Sequence, residues 1–221
     1  MSEDFGVFAP VFESAHGYLA LLGLSSDDCT DSVRLVRRCA NADEDHTAIL
    51  GLLDDLNWRP TLVGAVAAVF MPYDARITEA LWQRFDAGSW VAPQIAVVLA
   101  EIDPDFLAEA RRRLEARCPL DFSELQSLGV LERHSAAGPA GGVERCAKAA
   151  CSLQSMVSRF APPPEWLTAV VASPEHQALV ASDIDSAGTI AQRWCVRLTK
   201  IRQKLQSKAV TYHEEDRRVR V

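Results

Sequence analysis

The sequence predicts an all-α protein of stacked antiparallel helical hairpins, and three observations carry that prediction. Apolar residues recur at three- and four-residue spacings along most of the chain, while no segment alternates with the period of two that a half-buried strand needs. A helix opener of distinctive form occurs twice: Asn57-Trp58-Arg59-Pro60 ahead of the apolar run Leu62 to Val69, and Ser89-Trp90-Val91-Ala92-Pro93 ahead of Ile95 to Leu99. The two tryptophans are 32 residues apart and the two prolines 33, a shift within the range of repeating helix pairs.

Taken in order, Phe5, Val7, Phe8, Val11 and Phe12 form an apolar opening that is expected to lie on the core. A helix follows over about 13–22, with Gly23 as its stop. Ser25-Ser26-Asp27-Asp28 supplies caps for a second helix with Val33, Val36 and Cys39 inward and Arg34, Arg37 and Arg38 on its other side. A third helix, about 44–56, places Ile49, Leu52, Leu53 and Leu56 on one face. Pro60 suits the first position of the next helix, where a missing N–H costs nothing, and the run to Phe70 is apolar on every side, as befits a helix enclosed by neighbours. Pro72 ends it.

The second copy repeats this plan. Ile77, Leu81, Trp82 and Phe85 make an outer helix, Gly88 turns the chain, and Ala92 to Ile102 is the enclosed partner. Asp103-Pro104 caps a helix over about 104–117, with Phe106, Leu107, Ala110 and Leu114 inward and Arg111, Arg112 and Arg113 outward or at its flank. Asp121-Phe122-Ser123-Glu124 has the form of a capping box for a short helix to about Leu131. Ser135 to Gly142 reads as a loop, 143–159 as a helix, Pro162-Pro163-Pro164 as a breaker, and Ser173-Pro174-Glu175 as the opening of a short helix. A last long helix carries Ile190, Trp194, Leu198, Ile201 and Leu205 on one stripe. The whole chain, 1–221, reads as one domain, regular over 44–117 and less regular over 118–221.

Composition narrows the class. A content of 48% hydrophobic residues in 221 suffices for a core without staples. The first ten residues show no secretory signal, and the longest apolar stretch, Leu62 to Met71, is about half of what a membrane span needs, so a cytoplasmic protein without membrane contact is expected. The six cysteines then read as reduced and mostly buried, with no Cys-x-x-Cys spacing for zinc. The net charge of -7 is uneven: from Arg193 onward nine basic face three acidic residues (+6), and the preceding residues hold 14 basic against 27 acidic (-13). Such a body repels nucleic acid and favours a basic protein partner.

Four stretches invite a chemical reading, and each has a plainer one. Asp183 to Ile190 begins like a calcium loop, yet Ala187 sits at a ligand position and Trp194 where a bidentate Glu belongs, leaving a polar turn. Gly138 to Gly142 lacks the Gly-Lys-Ser/Thr of a phosphate cradle and reads as a connector. Asp43, Glu44, Asp45 and His46 crowd carboxylates beside an imidazole, but no second ligand segment is spaced to join them, so a charged helix start or a partner-binding patch is expected. Trp58 and Trp90 are expected to pack between helix pairs rather than line a groove. No catalytic residue, metal or cofactor is predicted.

The two Trp-x-Pro and Trp-x-x-Pro corners with their apolar helices resemble HEAT-type α-helical repeats, over roughly 44–117, and in particular the divergent HEAT-like proteins encoded beside bacterial type VI secretion and polymorphic-toxin genes. The resemblance implies a HEAT-like α-solenoid or irregular helical bundle that binds protein without catalysing a reaction. A bacterial immunity protein is therefore expected, neutralising a cognate basic toxin domain through the acidic residues Asp27, Asp28, Asp43, Glu44, Asp45, Asp54 and Asp55. The alternative is a scaffold or adaptor whose last helix docks on a partner or pairs with a second copy through Trp194, Leu198, Ile201 and Leu205.

Overall fold

The computed structural model describes residues 5–14, 17–25, 29–117, 149–161 and 188–219, with the side chains of the last helix described through 206. All regular structure among them is helical. After a 3₁₀ turn at Gly6–Phe8 come α1 (Ala9–Glu13), α2 (Leu19–Gly23), α3 (Cys29–Ala42), α4 (Thr47–Asp54), α5 (Trp58–Ala68), α6 (Ala75–Asp86), α7 (Ala92–Ile102) and α8 (Phe106–Arg117). Helical residues 149–157 (α9) and a long last helix, α10 (Thr189–Val219), complete the described part. No helix among the described residues is long and apolar enough to cross a membrane.

Two antiparallel pairs, α4 with α5 and α6 with α7, stand side by side, so that α4 meets α6 in an outer row and α5 meets α7 in an inner row. At the ends of the inner row α3 packs on α5 and α10 on α7. The sequence explains which helix goes where. Every residue of α5 from Pro60 to Ala68 is buried, and so is every residue of α7 from Ala92 to Leu99, because both runs are apolar but for Thr61 and Gln94, each of which donates to a backbone carbonyl. Gly64 lets α5 approach closely: a Cβ there would lie 3.0 Å from a methyl of Leu53 on α4. By contrast α6 buries only one stripe, Ile77, Thr78, Leu81, Trp82 and Phe85.

Several boundaries differ from those the sequence predicts. The helix expected over 13–22 begins only at Leu19, as α2, while α1 lies ahead of it and ends at Glu13; the left-handed residue that stops α2 is Leu24 (φ 48°), not Gly23, and Leu24 holds that conformation with its side chain in the core. α4 begins at Thr47 because Asp43 caps it from outside: the carboxylate accepts from Ala48 N (3.1 Å) and Ile49 N (2.9 Å). α4 also stops at Asp54, leaving Leu56 exposed. α5 opens at Trp58 with Asn57 as its cap, which puts Pro60 third, still among the first four positions whose N–H has no partner in the helix.

Arg113, expected outward or at the flank of α8, is the one of the three arginines that the fold encloses. It is buried, with its guanidinium 4.0 Å from the ring centroid of Trp82 and paired with Asp86 (3.0 Å) and Glu109. The four described cysteines, Cys29, Cys39, Cys151 and Cys195, are buried. Burial raises the thiol pKa of Cys39 and Cys195, the neighbouring arginines Arg38 and Arg159 opposing it only in part. The calcium-like turn over 183–187, the connector 135–142, and the helices expected over 121–131 and 173 onward lie outside the described residues, as do Cys118 and Cys146.

Candidate functional site

Two regions concentrate polar chemistry, and the sequence points to only one of them. The first is the acidic segment before α4. Asp43 is 5% exposed and both its oxygens are committed to the helix start, so it is removed from the surface on which a partner contact is expected. Glu44, Asp45 and Asp54 are exposed and Asp55 is half-buried; Asp27 and Asp28 lie outside the described residues. The exposed carboxylates do not form one patch, because Glu44 and Asp45 precede α4 and Asp54 is its last residue, about 12 Å away along the helix. Asp45 accepts from Thr47 N, and hydrogen bonding from Thr47 lowers its pKa.

Beside this segment His46, in a left-handed conformation (φ 64°), sets its Nδ1 2.8 Å from Oδ2 of Asp74, the residue that caps α6 through Arg76 N. Arg76 also holds Asp74 (2.7 Å) and donates to the carbonyl of Asp45 (3.2 Å). Arg76 first and His46 second hold the Asp74 carboxyl far below its ordinary value. The carboxylate is thus fully engaged, capping the start of α6 and reaching the turn before α4 through His46. Among the described residues no group of three or more His, Cys, Asp or Glu is placed to hold a metal ion.

The second region was not expected. The two repeat corners face one cleft of about 590 Å³, and α10 supplies its other wall. Trp58 and Trp90 both line it, Trp58 half-buried and Trp90 70% exposed, so the expectation that both pack between helix pairs does not hold for Trp90. Trp58 is braced by Tyr18, edge to face at 6.1 Å, at the end of an aromatic series running through Phe12 to Phe5. Arg59 lies over both Trp58 and Tyr18.

The floor and far wall are built by three side chains that all donate to the end of α2. Trp194 Nε1 donates to the carbonyl of Leu21 (2.9 Å), Gln94 Nε2 to that of Leu22 (3.0 Å), and Arg197 Nη1 to that of Gly23 (2.6 Å). These are carbonyls that a helix C-terminus leaves without intrahelical partners. Gln94 is 4% exposed, and its Oε1 has no hydrogen-bond donor among the described residues. Arg193 also lines the cleft, is exposed, and has no acidic partner among the described residues. No Asp or Glu is among the described lining residues.

Local sequence marks the two tryptophan corners, and it marks the stripe of α10, but nothing local shows that Arg193 and Arg197 face those corners across more than 100 residues. The stripe itself, Trp194, Leu198, Ile201 and Leu205, is buried in the chain's own core against α7, and Arg202 pairs with Glu101 (2.7 Å) to fix that contact. Pairing of two copies through this stripe would have to displace it from that core.

No model of a known protein family, no curated protein and no solved structure matches this chain. The fold and the cleft define a class of molecule: an all-helical stack with an aromatic, arginine-bearing recess where the end of α2 meets the start of α10.

Proposed function

We propose that the protein is a non-catalytic binding protein, and specifically a bacterial immunity protein that neutralises a cognate basic toxin domain by protein–protein contact in the cytoplasm. The observation that carries the reading is the outer row: Glu44, Asp45 and Asp54 present exposed carboxylates at both ends of α4, on a fold whose neighbouring histidine and aspartate are bound to each other rather than turned to a substrate. Exposed carboxylates on a rigid helical scaffold speed encounter with a basic domain.

The test is affinity capture from the native host followed by co-expression. The captured domain should be basic, should arrest growth alone, and should be silenced by this chain. Reversing Glu44, Asp45 and Asp54 to lysine should weaken the complex at least tenfold and lose protection, on the order of the coupling that close charge pairs supply. A partner that is not toxic, or binding unchanged by the reversal, removes the reading. The adaptor alternative loses the apolar stripe of α10 to the core and retains the outward face of that helix, where Arg193, Val196 and Lys200 are exposed.

A further inference from the structure

The tryptophan cleft meets the requirements of a small-molecule site, and it stands apart from the acidic row invoked above. Its volume of about 590 Å³ lies in the range of ligand pockets, roughly 300–1,000 Å³. Two indoles, Trp58 and Trp90, provide flat apolar surfaces, and exposing 70% of Trp90 to water is unfavourable unless something covers it. Charge selects the ligand further. In a chain of net charge -7 the described lining carries two arginines and no carboxylate.

Of these, Arg197 is fixed by its bond to Gly23 O, which engages one of five guanidinium donors. Arg193 one turn earlier has no acidic partner among the described residues, and a planar fork of this kind matches a carboxylate with two parallel hydrogen bonds. Gln94, held to Leu22 O by its amide nitrogen, borders the cleft as a buried polar group with an acceptor to spare. The floor is rigid because Trp194, Gln94 and Arg197 are each tied to backbone carbonyls of α2.

We infer that this cleft binds a small aromatic carboxylate, its ring between Trp58 and Trp90 and its carboxylate on Arg193 and Arg197. Indole-3-acetate is a suitable probe, and indole-3-ethanol has the same ring without the charge. Titration calorimetry of the full chain should give a dissociation constant below about 1 mM for indole-3-acetate and at least about tenfold weaker binding of indole-3-ethanol. Arg193→Glu and Trp90→Ala, both at exposed positions, should each weaken indole-3-acetate at least about tenfold while leaving the helical circular-dichroism spectrum and the unfolding midpoint of the free protein unchanged. The inference is overturned if indole-3-acetate fails to bind at about 5 mM, if the alcohol binds as well as the acid, or if Arg193→Glu binds as the parent does. Binding of an acidic peptide with neither probe bound overturns it equally. None of these outcomes depends on whether a toxin partner exists.

Discussion

Gly188 is held at φ 64° at the entry to α10, and a Cβ there would lie 2.7 Å from both the carbonyl oxygen of Cys151 and Cβ of Ser155 on α9. Two penalties therefore coincide, a left-handed backbone that L-residues resist and a steric conflict with main-chain atoms that cannot swing aside. Gly88 separates them, having φ 74° with nothing within 4 Å of the added carbon. Gly188→Ala should cost about 3 kcal/mol in urea unfolding, against about 1 kcal/mol for Gly88→Ala. Equal costs would show that α9 does not approach the start of α10 as closely as the structure has it. The acids of the α4 segment divide in the same manner. Asp43→Ala should cost about 1–2 kcal/mol by stripping a cap from two buried or half-buried amides, whereas the exposed Asp54→Ala should fall within about 0.5 kcal/mol of the parent. A partner contact alone would leave the stability of the free protein indifferent to both.

At the scale of the element, what the sequence makes legible is the buried face, and what it hides is where each helix starts and stops. α7 runs over the predicted Ala92–Ile102 because Pro93 sets its beginning and the apolar run sets its length. α4 begins three residues later than its composition predicts, because Glu44 and Asp45 look like first-turn acids while Asp43, the true cap, reaches forward to Ala48 and Ile49. Arg113 reads as outward or flanking for the same reason: an arginine's preference says nothing of Trp82 and Asp86, which lie on another helix. Asp74 shows how a local partner, Arg76, and a remote one, His46, together set a pH response. Its folded-state pKa is depressed below the ordinary 3.8 by Arg76 and His46, so its contribution to stability is complete above about pH 4 and is lost as pH falls toward the folded value. Asp45 and Glu109, lowered by Thr47 and by Arg112 with Arg113, act with the same sign. The difference in thermal midpoint between the parent and Asp74→Asn should accordingly be greatest near pH 6 and shrink toward pH 3. A constant difference would mean that the charge of Asp74 is not what holds Arg76 and His46.

Across the whole molecule the decisive contacts join residues that are remote in sequence. Periodicity exposes the helix pairs, and the two Trp–Pro corners expose their repetition, but closure depends on α7 and α10 together capping the carbonyls of Leu21, Leu22 and Gly23, and no spacing rule reports a pairing over 72 to 174 residues. That clamp makes the first helices and the last one a single cooperative unit. Trp194 is 1% exposed and combines the largest fully buried side chain of the core with the bond to Leu21, so Trp194→Ala removes ring and donor at once and leaves a buried carbonyl without its partner. The expected loss is about 3–5 kcal/mol. Its distribution is the sharper test: amide hydrogen exchange should rise together over α2 and the first three turns of α10, since each holds the other's exposed groups. If α10 loosens while α2 keeps its protection, the stack is closed by something other than this junction, and the cleft between Trp58, Trp90 and Arg193 loses the floor on which its geometry depends.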